Sequence, residues 1–276
     1  MPSLRSLKSR LSSAQSTHKI TSAVRTVSMS KLSVASAAYE RYEKYYLACE
    51  DLSKRINRGA GAYAPRPDNE NSGKNCYVLF TANRGLCGSF NHDMQCFFNE
   101  TLRDEKDPKI VICGKWGRRR CSSEAEYFEI SDVPTTAEAN VLFKRLAALY
   151  TEEKYDRVIF VYYRLKNLLI GAPATETVLP VQREEGEADG DILYLPSSES
   201  AAERALEMCV NARVYGLLLK SAIGAHAASL AAMRSASDNS EHMISELKLE
   251  LNRMRQATVT AGVIEAAGAS GASGMS

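Results

Sequence analysis

LAAMRSASDNSEHMISELKLELNRMRQATVTA, residues 230–261, contains no proline or glycine and repeats small or apolar side chains every three or four residues. The series runs Leu230, Met233, Ser237, Ser240, Ile244, Leu247, Leu251, Met254, Thr258 and Ala261. That spacing predicts a helix with a thin coiled-coil seam. Toward the N-terminus the pattern extends back to about residue 197. Pro196 is the last proline, and only Gly216 and Gly224 interrupt, each costing about 1 kcal/mol against alanine. Small residues at 222–236 would let two backbones approach closely. The Gly/Ser-rich end, 268–276, is expected to fray.

A second helical stretch, residues 3–58, stands at the other end of the chain. At about 1.5 Å per residue the two helices would be on the order of 80 and 100 Å long, too long for an ordinary globule of 276 residues. Neither would bury its stripe alone, so the ends are expected to pair as an antiparallel rod projecting from a small body. In the first helix the spacing Leu4, Leu7, Leu11, Ala14 returns in phase at Leu32, Ala35, Tyr39, Tyr42, Tyr46 and Cys49. Between them that phase carries His18, Thr21, Arg25 and Ser28, while the apolar residues move to Ile20, Val24 and Val27. The stripe is therefore expected to change face midway and to meet something other than its coiled-coil mate there.

Between the helices, residues 57–75 are rich in Gly, Pro, Asn and Arg and read as a linker. Strands are predicted at 77–82, 109–113, 126–131, 157–165 and 174–180, and helices at 89–103 and 136–152. Continuous apolar strands alternating with helices predict a mainly parallel sheet with right-handed crossovers. The acidic segment 183–191 reads as a surface loop before a short apolar run, 192–195. The fold class is thus α/β with a long antiparallel coiled coil: N- and C-terminal helices paired as a shaft around a central Rossmann-like domain. The expected divisions are 1–58, 59–75, 76–196, 197–265 and a flexible tail, 266–276.

With 45% hydrophobic residues and 25% charged, the chain can build a real core. The formal charge is +2, yet Arg5, Lys8, Arg10, Lys19, Arg25 and Lys31 all precede the first acidic residue, Glu40, leaving 29 basic against 33 acidic residues elsewhere. The basic excess sits on the N-terminal helix and suits an acidic protein partner, with a solvated face, nucleic acid or membrane as weaker readings. An acid-free, Ser-rich start also resembles a transit signal, but its helix pattern continues past it, which argues against removal. Seven cysteines with no C-x-x-C spacing argue against zinc and for reduced, buried thiols. No uninterrupted apolar run approaches the roughly 18 residues of a bilayer span.

Signs of catalysis are weak. Asn83-Arg84-Gly85-Leu86-Cys87-Gly88 follows the first strand but lacks the G-x-G-x-x-G spacing of a dinucleotide turn, and Gly114-Lys115-Trp116 lacks the rest of a Walker loop. His18, His92, His226 and His242 form no H-E-x-x-H pair, and no G-x-S-x-G turn is present. Arg118-Arg119-Arg120 reads as a solvated helix face, with a phosphate or RNA contact as the weaker reading.

Three segments together resemble the γ subunit of the rotary proton-translocating ATP synthases. They are Lys19-Ile20-Thr21 with Val24, Val27 and Lys31-Leu32; Arg84-Gly85-Leu86-Cys87-Gly88; and Met233, Ala236, Asp238, Asn239 followed by Asn252-Arg253, Arg255-Gln256-Ala257, Thr260 and Ile264-Glu265. They lie in family order over nearly the whole chain. The chain departs at Val24, where the family usually has Met, and at Ala225 and Ser229, where it has an ion-paired Glu and Arg. The two-cysteine insert of chloroplast members is not visible. The resemblance implies a non-catalytic rotor, with its coiled coil in the bore of an α3β3 ring and its body on a ring of c subunits beside other central-stalk subunits. It implies no cofactor, no nucleic acid, and membrane contact only through partners. It nominates Lys19, Arg25, Lys31, Arg255 and Gln256 for contact with acidic β-subunit loops, and Arg84, Gly85 and Gly88 as a structural turn. The expected location is the matrix side of a mitochondrial inner membrane, with the cytoplasmic side of a bacterial membrane as the alternative. The rivals are a coiled-coil scaffold and a Rossmann-like nucleotide-binding enzyme.

Overall fold

The computed structural model describes residues 3–56, 63, 73–120, 125–153, 155–167, 170–181 and 198–273. Most of the expected linker, the acidic segment 183–191, the run 192–195 and Cys121 lie outside the described residues. The element order is α1 (Leu4–Ile56), β1 (Asn75–Phe80), α2 (Phe90–Thr101), β2 (Lys109–Cys113), α3 (Lys115–Arg118), β3 (Glu126–Phe128), α4 (Thr136–Thr151), β4 (Arg157–Leu165), β5 (Gly171–Leu179) and α5 (Ser198–Ser273). Helix α5 continues past Gly268 and Gly271 to Ser273, where fraying was expected. The alanines flanking those glycines are the strongest helix formers.

Two compact units share the long helices. One joins residues 1–27 with 232–276, and the other spans residues 28–231.

In the second unit the sheet order is β3-β2-β1-β4-β5. Strands β1 to β4 are parallel and β5 is antiparallel to β4. Central β1 is buried from Cys76 to Phe80 because both its faces are covered, which is what its unbroken apolar run demands. Helix α4 starts with a reciprocal capping box, in which the Thr135 side chain and Glu138 each satisfy the other's backbone N–H. Val214, Leu217, Leu218 and Ala222 of α5 join Val78, Leu79, Phe143 and Phe160 in one core, and Tyr39 and Tyr42 of α1 pack against it. Tyr42 meets Tyr215 edge-on, with ring centroids 4.5 Å apart. Gly224 is needed for close approach, since a Cβ there would lie 2.3 Å from Tyr163 Cδ1 on β4. Next to it, Ser221 Oγ accepts the Tyr163 backbone N–H at 3.2 Å.

This packing also explains one stretch of α5. An 18-residue window of it, with mean hydropathy 1.3 and no more than two charges, is long and apolar enough to cross a membrane, but 61% of that window is buried inside the protein. Scanning for uninterrupted apolar runs missed it, because the charges within α5 break up an otherwise apolar core helix.

In the first unit, Leu7 and Ala14 of α1 are buried with Leu247 of α5, flanked by Leu11, Ile244, Leu251 and Met254. Further along the pair, His18 Nδ1 lies 3.1 Å from Ser240 Oγ and 3.2 Å from the Ser237 carbonyl. As the α1 numbers rise the α5 numbers fall, so the helices run antiparallel. The apolar residues of α1 do leave the seam midway, as their spacing predicted, while the buried phase itself continues with polar side chains. Leu7, Ala14, Thr21, Ser28, Ala35 and Cys49 are all buried in one heptad phase, while Ile20 and Val27 are exposed. The seam changes chemistry and keeps its face. Thr21 satisfies its hydroxyl on its own helix, donating to the Thr17 and His18 carbonyls at 3.1 Å, so a small polar side chain can sit in the seam without an orphan group.

Candidate functional site

The helix pair of the first unit presents a surface built around that seam. A groove of about 380 Å³ is lined by Gln15, His18, Lys19, Glu241, Ile244, Ser245 and Lys248. Lys19 is exposed along it, and Arg25 is half-buried further along α1. Arg255 and Gln256 are exposed on α5 just past Met254, the last α5 residue packed in the seam, and are not among the groove's lining residues. Sequence reasoning nominated the cations by name and gave the apolar Ile20 and Val27 beside them only as a stripe that leaves the seam. Ile20 is 60% exposed, and Val27, Met243, Leu249 and Val259 are exposed as well. The signal was present, since Ile20 and Val27 are out of phase with the seam. Apolar and cationic side chains side by side on a solvent face suit contact with another protein.

The second unit holds a polar junction at the carboxyl ends of β1 to β3. Asp132, in the loop after β3, pairs with Lys31 of α1. Its carboxylate also accepts from Asn83 Nδ2 at 3.0 Å and faces Arg84 Nε at 3.9 Å. The Asp132 backbone carbonyl lies 2.7 Å from His226 Nε2 on α5. One loop thus ties both long helices to the sheet. Burial pushes the Asp132 carboxyl upward, but hydrogen bonds from Lys31 and Asn83 and the charges of Lys31 and Arg84 outweigh it and hold the group below its ordinary 3.8. His226 is held below its ordinary 6.5 mainly by burial, against the pull of the Asp132 carbonyl and charge. Lys31 therefore has an internal partner for its charge. Asp132 and His226 had no motif to announce them, because their partners are distant in sequence.

In the turn after β1, the left-handed positions are Leu86 at φ 64° and Gly88 at φ 58°. Gly85 is not among them, and a Cβ there would meet nothing within 4 Å. Arg84 is largely exposed. The turn is fixed mainly by Asn91, whose Oδ1 accepts the Ala82 N–H at 2.9 Å while its Nδ2 donates to the Arg84 carbonyl at 3.4 Å.

A phosphate at the Walker-like Gly114-Lys115 site meets a specific obstacle. Amides at the start of α3 are already engaged: Lys115 N donates to Asn83 Oδ1 at 3.1 Å, Trp116 N to the Ala82 carbonyl at 3.2 Å, and Gly117 N to Thr81 Oγ1 at 3.0 Å. Gly114, at φ 102°, packs so tightly that a Cβ would lie 2.0 Å from the Thr81 carbonyl oxygen. Donors that would cradle a phosphate close the end of the sheet instead. Arg118 and Arg120 stack toward Tyr127 and Trp116, 6.0 and 4.9 Å from the ring centroids. Among the described residues, no group of three or more His, Cys, Asp and Glu side chains is placed to hold a metal ion.

Comparisons with known proteins agree along the whole chain. A family profile described as ATP synthase matches residues 3–273. The ATP synthase gamma chain of Moorella thermoacetica is 32% identical over 96% of this chain and 97% of its own length. That of Desulforamulus reducens is 30% identical over 99% of each. Among solved structures, a chain of the Euglena gracilis mitochondrial ATP synthase in an OSCP/F1/c-ring assembly superposes with a TM-score of 0.69 at 18% identity, covering 98% of this chain and 94% of that one. A chain from the Tetrahymena thermophila mitochondrial ATP synthase, solved as central stalk and c-ring, gives 0.60 at 19% identity over 79% and 99%.

Proposed function

Because the chain belongs to the ATP synthase γ family, a central-stalk component of a membrane-bound complex, we propose that its helix pair is the contact surface by which rotation reaches the catalytic subunits. In this reading the pair engages the α3β3 ring, the α/β body engages the c-ring and the other central-stalk subunits, and the membrane is met only through them. The chain makes and breaks no bonds itself, and ATP synthesis or hydrolysis belongs to the β subunits. A shaft without rotational symmetry presents different faces to three equivalent neighbours and biases each toward a different nucleotide affinity. Turning it takes every site through the same sequence, which is a mechanical coupling between distant sites.

One observation carries this reading: the seam is leucine-rich near Leu7 and Leu247 but is closed further along by Thr21, Ser237 and Ser240, while Ile20, Val27, Met243 and Leu249 face outward. Residues that would thicken a self-sufficient coiled coil are thus available to a sleeve. Lys19, Arg25, Arg255 and Gln256 are the polar part of that surface. Lys31 acts instead as an internal tie to Asp132. The relatives at 29–32% identity are bacterial, which favours the cytoplasmic side of a bacterial membrane over the mitochondrial inner membrane. The family assignment favours neither the free scaffold nor the Rossmann-like enzyme, and the engaged amides at α3 disfavour a phosphate at Gly114-Lys115.

The test is Lys19→Glu combined with Arg25→Glu in the assembled complex. Coupled ATP synthesis is expected to fall about tenfold or more, the effect of losing roughly 1.4 kcal/mol of contact energy, with assembly retained. Unchanged coupled synthesis in a fully assembled complex would remove these two cations from the contact surface.

A further inference from the structure

We propose that Cys49 and Cys209 form a redox-controlled staple between α1 and α5 at the body. The two residues are far apart in the chain, yet both are buried in one small cluster with Ala212, flanked by Tyr42 and Leu52. The Cys209 thiol lies 2.9 Å from the Cys49 carbonyl oxygen. That carbonyl is bonded to the Cα bearing the Cys49 thiol, so the Cys209 sulfur already touches the residue it would link to, and the staple requires rotation of the cysteine side chains with adjustment of the helices.

An oxidant has a route to one of the two sulfurs. Cys209 lines a pocket of about 40 Å³ with Tyr46, Glu50, Val181, Val210 and Arg213. A water molecule needs roughly 10–15 Å³ measured this way, so hydrogen peroxide fits. In the reaction, the Cys209 thiolate attacks one peroxide oxygen, the O–O bond breaks, and hydroxide leaves to be protonated to water. The resulting sulfenic acid is then attacked by the Cys49 sulfur, which forms the S–S bond and expels its oxygen as a second water. Two thiols lose two electrons and two protons, and one peroxide becomes two waters.

The product would close a covalent loop around the entire sheet and prevent the two helices from sliding or splaying there. This inference is independent of the rotor reading and survives if that reading fails. It is tested on the full chain by adding hydrogen peroxide stepwise until Cys96, an exposed thiol on α2, is oxidised. Remaining thiols are then alkylated and the peptides mapped without reductant. The expected result is a linked peptide joining Cys49 to Cys209, cleaved by dithiothreitol and absent in Cys49→Ser, where dimedone traps the Cys209 sulfenic acid. The linked chain should unfold roughly 5–10 °C higher than the reduced one. Both cysteines still alkylatable after Cys96 has reacted, either one linked elsewhere, Cys209 driven to sulfinic acid without a link, or a link that leaves the unfolding midpoint unchanged would each overturn the staple. The wild-type map decides the matter even if the variant folds poorly.

Discussion

The body and the helix pair use the same long helices in opposite ways. In the body, α5 buries Val214, Leu217, Leu218 and Ala222 against a sheet that contributes Val78, Leu79 and Phe160, and α4 adds Phe143 and Leu146 from its own side. Burying a side chain of this size contributes about 1.5–3 kcal/mol, and here many act together. In the helix pair the buried cluster is Leu7, Ala14 and Leu247, continued by Thr21, Met233, Ser237 and Ser240. Ordering each backbone residue costs about 1–2 kcal/mol, and a seam this thin offsets little of it beyond the helices' own hydrogen bonds. A body built on a thick core draws its stability from its own packing. A pair built on a thin one keeps its outer faces available for partners, and its rigidity depends on what surrounds it.

The difference can be broken by cutting into each core. Phe143→Ala removes a fully buried ring in the body and should destabilise it by about 3–5 kcal/mol, read as a lower urea midpoint in the fluorescence of Trp116, the single tryptophan, which lies in the body. Leu247→Ala should cost about 2 kcal/mol, the lower end for such a truncation, because a thin seam can close over the gap. Its signature should be different: faster amide exchange at residues 4–27 and 232–264, with the Trp116 transition unmoved. A Leu247→Ala chain whose Trp116 midpoint drops as far as that of Phe143→Ala would show that the two regions share one cooperative core.

The same contrast governs how much was legible in the sequence. Strands β2 and β4 fall at 109–113 and 157–165, where their continuous apolar runs put them, because a strand buried on both faces has few alternatives. The antiparallel direction of β5 was not legible. β5 pairs with β4 from Leu165 opposite Gly171 back to Val158 opposite Leu179, and its Gly171, Pro173 and Glu176 hide any alternation. On α1 the phase was readable, and Ile20 and Val27 lie off the seam as their spacing says; what was not legible was that Thr21 would stay buried in their place, its hydroxyl bonded to its own helix. Cations such as Lys19 and Arg255 are visible as letters. Whether one is committed internally, as Lys31 is to Asp132, depends on a loop a hundred residues away and becomes visible only in three dimensions.

The smallest of the expected effects, a pH dependence, belongs to the body alone and sharpens the contrast from its other side. His226 is held below its ordinary 6.5 chiefly by burial, so the unfolded chain takes up a proton at a pH where the folded chain still refuses it. For a depressed folded pKa, the stabilisation is present in full above the unfolded value and is lost as pH falls through the folded one. The Trp116 urea midpoint should therefore be level above about pH 7 and fall as pH drops below the ordinary histidine value. Asp132, also depressed, adds a second loss only when pH falls below 3.8. The charges of Lys31 and Arg84 lower the imidazole further, in the same direction as burial. His226→Gln keeps an N–H donor for the Asp132 carbonyl and removes the titration, and it should flatten the upper part of the curve while leaving the acid limb in place. A variant that retains the full decline between about pH 7 and 5 would assign the slope to another group and leave His226 as a packing residue.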